Sequence, residues 1–327
     1  MDKLDLKDKK ILYELDIDCR QSFRNIGKKV GLSKDVVSSR VKELQRKGII
    51  KYFFTLIDSS KLGYNSVRIY IIFRNTTKEI EKEIIDYFVN YRYSWVVQSL
   101  KGKYDLVILF WINEINNFYK FWEKTLQKYH QYFEKKVLAI YFQHHVYKIN
   151  PLLNTGDLSK CESHMYDFAG GGKKVKTDDI DKKILCILAN DARIPTINIA
   201  KKLDISTLTV KSRINRLIES GVIQGYRCMS DFFKYGYKMY KTDINLIDYS
   251  KKQSIINYIS KNPHLWVSHK TVGYVDLELE FLVEDEFQLH NIIEDLVKKF
   301  PNIIKNYDYF YEKEYHKIQY IPQDLIE

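Results

Sequence analysis

Asp8-Lys9-Lys10-Ile11-Leu12 recurs, residue for residue, as Asp181-Lys182-Lys183-Ile184-Leu185, 173 positions further along a chain of 327 residues. At that offset, with no gap, Asp18 and Arg20 fall on Asp191 and Arg193, and Lys28-Lys29 on Lys201-Lys202. Ser33 falls on Ser206, Arg40 on Arg213, Leu44 on Leu217, Gly48 on Gly221 and Gly63-Tyr64 on Gly236-Tyr237. An offset of 171 then carries Trp95 to Trp266 and Gly102/Asp105 to Gly273/Asp276. One such pair arises by chance; an ordered series does not, and the chain reads as a tandem duplication. Between the copies, 150–176 holds Thr-Gly, Ser, Gly170-Gly171-Gly172 and Lys173-Lys174, the composition of a linker.

Each copy divides in two. Over 4–15, Leu4, Ile11, Leu12 and Leu15 share one helical face, and Phe23, Ile26 and Val30 mark a second short helix. Gly31-Leu32-Ser33 is a tight turn with Ser33 as the cap of a third helix, whose Val36, Val37, Val41 and Leu44 point inward. Gly48 ends it, and 49–56 is β-branched and apolar enough for a wing. In the second copy Asp204 replaces Gly31, and Asp tolerates the left-handed turn. Three helices and a wing make a winged helix-turn-helix. Beyond it the periodicity predicts strand 66–73, helix 78–91, strands 93–100 and 104–112, helix 115–133 and strand 136–147. The second copy repeats that order through 238–247, 250–261, 265–271, 275–283, 286–300 and 303–315. The order βαββαβ is ferredoxin-like. The expected class is α+β, in five parts: winged helix-turn-helix 1–62, βαββαβ domain 63–150, linker 151–176, second winged helix-turn-helix 177–235 and second βαββαβ domain 236–327.

This arrangement resembles the Lrp/AsnC (leucine-responsive regulatory protein) family. The residues that carry the resemblance are Asp8-x-x-Ile-Leu12, Leu32-Ser33, Arg40-Val-Lys-x-Leu44, Gly48-Ile-Ile50, Gly63 and Gly102-x-Tyr-Asp105. It spans nearly the whole chain, twice, whereas members usually carry one unit. In the second copy the loop reads Gly273-Tyr-Val-Asp276, with the tyrosine displaced. The resemblance implies a DNA-binding transcription regulator, often dimeric. It also implies a small-molecule effector, commonly an amino acid, near Gly102/Asp105 and Gly273/Asp276. From the residues alone those positions read as β-turns.

Charge supports the DNA reading independently. The formal net charge is +11, and residues 1–62 and 173–235 each carry +6, leaving the rest of the chain near neutral. Phosphate neutralisation needs basic charge at the DNA-binding modules, and a merely basic surface would not be partitioned this way. The last helix of such a module lies in the major groove. Its outward residues here include Ser33, Lys34, Ser38, Ser39 and Lys42, with Arg40 able to reach phosphate or base. In the second copy they include Ser206, Thr207, Leu208, Lys211, Ser212, Asn215 and Arg216, with Arg213 equivalent to Arg40. The two faces differ, so the modules are expected to read different half-sites of double-stranded DNA.

Other chemistries find less support. The apolar runs 67–73, interrupted by Arg68, and 106–112 are too short to span a membrane. A charged N-terminus and four scattered cysteines (Cys19, Cys161, Cys186, Cys228) fit a cytoplasmic, DNA-associated protein. His144-His145, Cys161-x-x-His164 and His269 lack a second pair at zinc spacing, so neither a metal nor another cofactor is expected. No nucleotide-binding loop, nucleophile elbow or paired-carboxylate motif appears, and no catalytic residue is assigned. Two alternatives remain: a sirohaem-decarboxylase-like enzyme on the same fold, and an effector-sensing module that docks protein. The sheets give an expectation about assembly. The face opposite the helices is apolar in the first copy (Tyr70, Ile72, Val107, Leu109, Trp111), whereas the second has Asp243, Asn245, Glu278 and Glu280 at equivalent positions. An apolar open face asks for a partner. The expectation is a homodimer through the first βαββαβ domain, with the second copy's sheet left in solvent.

Overall fold

The computed structural model describes residues 4–153, 164–168 and 172–325. In the first copy α1 (Leu6–Ile17), α2 (Phe23–Val30) and α3 (Lys34–Arg46) lead into the wing β1 (Ile50–Ile57). The second has α6 (Asp179–Asn190), α7 (Thr196–Leu203), α8 (Thr207–Glu219) and β7 (Ile223–Ser230). The turn before each third helix is left-handed, at Gly31 (φ 69°) and at Asp204 (φ 53°). Ser33 and Ser206 then cap α3 and α8 by accepting from the amides of Val36 and Thr209.

The two heads are built into each other. Strands β1 and β7 pair antiparallel, with Phe54 opposite Arg227, Thr55 opposite Tyr226 and Leu56 opposite Gly225. Phe54 and Arg227 are equivalent at the 173-residue offset, so a local two-fold axis passes between them. Ile11, Leu12 and Leu15 of α1 share a core with Cys228, Phe232 and Tyr237 of the second repeat. Reciprocally, Ile184, Leu185 and Leu188 of α6 share one with Ile57, Leu62 and Tyr64 of the first. The duplicated arginines close the contact: Arg20 donates to the carbonyls of Ala192 and Ile194 at 2.5 and 3.2 Å, and Arg193 donates to those of Cys19 and Gln21.

The first βαββαβ unit runs β2 (Asn65–Phe73), α4 (Lys78–Asn90), β3 (Ser94–Lys101), β4 (Leu106–Ile112), α5 (Ile115–Tyr129) and β5 (Phe133–Tyr147). The second runs β8 (Lys238–Leu246), α9 (Lys252–Ile259), β9 (Leu265–Val272), β10 (Leu277–Val283), α10 (Glu286–Lys299) and β11 (Ile304–Ile318). The sheets have equivalent orders, β5-β2-β4-β3 and β11-β8-β10-β9. They join at both edges, β3 with β11 and β5 with β9, into a closed eight-strand barrel. Closure removes the free edges that two separate sheets would present. Helices lie outside: Ile84, Phe88 and Phe118 cover Ile69, Ile108 and Phe110, while Ile255, Leu289 and Ile293 cover Ile244, Leu279 and Phe281. The 150–176 segment, read as a linker, carries structure of its own. A 3-10 turn (Asn150–Leu153) buries Leu152 in the first head's core, and a short strand β6 (His164–Phe168) pairs with β5.

The barrel interior corrects the assembly expectation. Tyr70, Val107, Leu109 and Trp111 are buried, and Ile72 half-buried, against the second copy of the same chain rather than a second chain. The second copy's sheet is not in solvent either: Lys241, Asp243 and Glu278 are all buried. Glu278 meets Arg68 at 2.6 Å and Lys241 at 2.5 Å, and each of these side chains is at most 4% exposed. Buried against an apolar sheet without partners, such carboxylates would cost several kcal/mol. Arg68 lies in the middle of that sheet's first strand and supplies the partner charge. Burial opposes the Glu278 charge, but Arg68 and Lys241 outweigh it and hold the carboxyl well below the usual range. Removing one partner of a buried ion pair leaves the other charge uncompensated. Glu278→Gln is therefore expected to cost about 3–5 kcal/mol of unfolding free energy in urea denaturation. A change within about 0.5 kcal/mol, as at an ordinary surface site, would show that the ion triad does not hold the barrel together.

Candidate functional site

The recognition helices α3 and α8 present Ser33, Lys34, Ser39 and Lys42, and Ser206, Lys211, Ser212, Asn215 and Arg216, as exposed residues; Ser38 and Thr207 are half-buried. Leu208, near the start of α8, is 77% exposed. No element of the protein covers these faces among the described residues.

Arg40 and Arg213, expected to reach phosphate or base, are each ion-paired within their own head in the DNA-free chain. Arg40 Nη1 lies 2.7 Å from Asp5 and 2.8 Å from Asp8, and Arg213 Nη1 lies 2.7 Å from Asp178 and 2.9 Å from Asp181. The same four aspartates sit at the starts of α1 and α6, where Asp5 accepts from the Asp8 amide and Asp178 and Asp181 form a reciprocal capping box. The aspartate of each duplicated Asp-Lys-Lys-Ile-Leu motif thus ties the head's first helix to its recognition helix. Arg216 also contacts Asp181, but with its side chain 55% exposed it still reaches solvent.

The two Gly-x-x-Asp loops are strand-end turns. Gly102 has φ 124° and Gly273 φ 87°. Asp105 accepts from the Phe73 amide at 2.8 Å, and Asp276 accepts from the Leu246 amide at 2.7 Å. Their tyrosines meet at one end of the barrel: the Tyr104 and Tyr274 hydroxyls lie 3.1 Å apart, and Tyr104 stacks on Tyr70 at 4.4 Å and 8°. Tyr274 also donates to Asp243, and Lys103 bridges Asp243 and Asp308 at 3.2 and 2.9 Å.

Inside the barrel lies a cavity of about 150 Å³. Its walls carry Arg68, Tyr70, Gln98, Tyr141, His144, Lys241, His269, Glu280 and Glu312 beside Trp95, Val107 and Leu109, and its far end is formed by Phe54, Leu56, Arg227 and Met229 of the two wings. His269 bridges Glu280, at 2.7 Å from Nε2, and His144, at 2.8 Å between the two Nδ1 atoms. The His144 ring is stacked between Tyr141 and Phe168. Glu312 accepts from Gln98 and Tyr315, both at 2.9 Å. Sequence reasoning treated His144 and His269 as isolated and did not single out Lys241, Gln98 or Glu312. The signal for Arg68 and Lys241 was present: they are equivalents at the 173-residue offset, both on the face away from the helices. Of the metal candidates, Cys161 lies outside the described residues. Among those described, no three His, Cys, Asp or Glu side chains gather as metal ligands.

Burial sets the protonation of this interior. It holds both histidines well below their usual 6.5, hence neutral. It pushes Glu280 up to about 7, and together with the neighbouring Glu280 charge pushes Glu312 up to about 8. A carboxyl whose folded pKa exceeds its unfolded one contributes stability that is full below its ordinary 4.5 and is lost as pH rises through the folded value. The two buried neutral histidines contribute in the opposite sense up to their ordinary 6.5, so the net fall in stability is expected between about 6.5 and about 8. Glu312→Gln, which keeps an acceptor for Gln98 and Tyr315, should flatten that fall in denaturation curves taken across the range. An unchanged pH profile would show that Glu312 is ionised throughout.

The architecture and the heads agree with known proteins. The AsnC-type helix-turn-helix domain model matches residues 4–45, and a winged helix-turn-helix DNA-binding model matches 177–224. The HTH-type transcriptional regulator Ptr1 of Methanocaldococcus jannaschii is 34% identical over 130 residues, covering 37% of this chain and 78% of that protein. The regulator FL11 of Pyrococcus horikoshii is 29% identical over 130 residues, covering 40% of this chain and 85% of its own. Each relative thus matches less than half of the tandem. The siroheme decarboxylase NirDL matches across the tandem, covering 98% of this chain and 96% of its own at a TM-score of 0.64 and 14% identity, which shows a shared fold. No helix among the described residues is long and apolar enough to cross a membrane. With two helix-turn-helix heads and single-unit regulators matched over most of their length, the chain belongs to the Lrp/AsnC family of DNA-binding transcription regulators.

Proposed function

We propose that this protein binds double-stranded DNA sequence-specifically through both heads of one chain, reading two unlike half-sites in the cytoplasm, and that a small molecule modulates it. The observation that carries the reading is the pair of uncovered recognition faces, each fixed to its head by an arginine held between two aspartates. Lys34, Lys42, Lys211 and Arg216 can reach phosphate or base edges, Ser38, Ser39, Thr207, Ser212 and Asn215 offer shorter polar contacts, and Leu208 can meet a thymine methyl. Ser33 and Ser206 keep a hydroxyl proton to donate while capping their helices. The wing-to-wing pairing and the Arg20 and Arg193 contacts hold the heads in a fixed mutual position, which favours half-sites at one spacing.

We place the small-molecule response in the barrel. The carboxylates of Asp105 and Asp276 already hold backbone amides, so Gly102, Asp105, Gly273 and Asp276 act by shaping the loops whose tyrosines close the barrel end. The siroheme decarboxylase has been solved with an iron-uroporphyrin III analogue. Both heads here keep exposed recognition faces with basic side chains, which supports a regulator rather than an enzyme of that kind.

Lys42→Ala and Lys211→Ala should each lower the slope of log affinity against log salt by about one, the loss of one phosphate contact. Arg40→Ala and Arg213→Ala should leave that slope unchanged, because their guanidinium groups are held by carboxylates. A reduced slope in the arginine variants would place them on phosphate instead. Selection from random duplex DNA should yield sites with two unlike halves; perfect palindromes, or no enrichment, would overturn the two-head reading.

A further inference from the structure

The barrel cavity contains buried polar groups that the fold itself does not satisfy. Arg68 is 1% exposed, and its Nη1 meets Glu278 at 2.6 Å and Tyr141 at 2.5 Å; Nε and Nη2 have no hydrogen-bond partner among the described residues. His144 is 3% exposed, with Nδ1 on His269 and no hydrogen-bond partner for Nε2 among the described residues. Both side chains line the cavity. Unpaired donors at this depth cost free energy unless something meets them. Arg68, Lys241 and Arg227 line the space, the first two sharing the Glu278 carboxylate and the third paired with Asp16, and the carboxyls that line it are Glu280 and Glu312. Burial pushes those carboxyls up to about 7 and about 8, so near neutral pH they are largely or partly protonated and repel an anion little. Beside Arg68 the same sheet is apolar, with Leu109 its cross-strand neighbour and Val107 that of Tyr70, and an apolar cavity of comparable volume accommodates a benzene ring.

We propose that this cavity is a binding site for one small organic carboxylate, its oxygens on Arg68 and His144 and its apolar body against Trp95, Val107 and Leu109. The histidine chain fits that occupant. A protonated Glu280 donates to His269 Nε2, His269 Nδ1–H donates to His144 Nδ1, and His144 Nε2–H is left as a donor to the ligand. A guanidinium with free N–H groups beside such a donor is a strong receptor for a carboxylate. The site also bears on the heads. Its far wall is Phe54 and Leu56 of β1 and Arg227 and Met229 of β7, and Arg227 is ion-paired to Asp16 of α1 at 2.6 Å. A ligand here would press on the strands that join the two DNA-binding modules. That consequence rests on the regulator reading; binding does not, and the test below is made without DNA so that the two fail separately.

The full chain is titrated calorimetrically with benzoate, benzyl alcohol and benzylamine, which share a ring and differ in charge. Benzoate is expected to bind saturably at one site, about tenfold or more tighter than the neutral and cationic probes. His144→Phe should keep its place between Tyr141 and Phe168, retain the wild-type unfolding midpoint and weaken benzoate about tenfold or more. Leu109→Trp, which fills the cavity, should abolish binding; if that variant does not fold, His144→Phe decides alone. No saturable binding of benzoate, equal affinity for benzyl alcohol, or full affinity in His144→Phe would each overturn the proposal.

Discussion

The ion triad of Arg68, Glu278 and Lys241 is the constraint on which this architecture depends. Two ferredoxin-like sheets meet face to face in the barrel, and the meeting is permitted only because the carboxylate from one lies within 2.6 Å of the guanidinium from the other. An isolated buried carboxylate in such an interior would cost several kcal/mol, and an isolated buried arginine no less. Once both are inside and paired, separating the sheets exposes two uncompensated charges together with a large apolar surface. That makes sheet closure close to all-or-none. Orientation follows from the same fact, since the triad forms in one register of the two sheets.

The heads are held by a related device, built from the most conspicuous residues of the duplication. Arg20 and Arg193 each reach into the other head's backbone, and Arg40 and Arg213 each cross from a recognition helix to the first helix of the same head. In both cases a guanidinium satisfies carbonyl or carboxylate oxygens at helix ends, where acceptors and negative side chains gather. The basic residues left over are the lysines with Arg24, Arg46 and Arg216, long side chains exposed at the surface of the heads. The division separates frame from surface: planar arginines fix the frame, and the flexible lysines of the recognition faces stay exposed.

Most of the fold was legible because it rests on short-range signals. Gly31 or Asp204 before a serine cap, helical spacing of Ile84 and Phe88, and the short apolar run 106–112 all act within a few residues. What the sequence did not disclose was which faces meet. Val107, Leu109 and Trp111 announced that the first sheet needs a cover, but not whether a second chain or a second repeat supplies it. The deciding residue was in view: Arg68 interrupts an apolar strand on the covered face, and its equivalent in the other repeat is Lys241. The roles of Arg40 and Arg213 were hidden for a similar reason. A basic residue on a recognition helix looks the same whether it faces phosphate or an aspartate 35 or 32 positions earlier. The histidine pair, 125 positions apart, gave no local signal at all.

Charge on the first and third strands explains why the two repeats pair with each other. Paired with itself, the first repeat would bury two copies of Arg68 with no carboxylate from those strands. The second repeat, paired with itself, would bury two copies of Lys241 against two each of Asp243, Glu278 and Glu280. Only the mixed pair comes close to balance: Arg68 and Lys241 face Glu278 and Asp243, while Glu280, with its pKa near 7, can take a proton. Equivalent cations in both repeats and carboxylates in one alone is a pattern that a single-unit homodimer cannot adopt, because any substitution there appears on both sides of the axis. The fused chain is free of that restriction. The Asp16–Arg227 pair shows the same freedom, since its equivalents in the other half are Ala189 and Phe54, and Phe54 instead stacks on Tyr320 at 4.1 Å. Tandem fusion therefore does more than tether two heads. It allows the second repeat's wall of the barrel to be polar and the first repeat's, Arg68 apart, to be apolar, and unlike walls suit a ligand that has an anionic end and an apolar one.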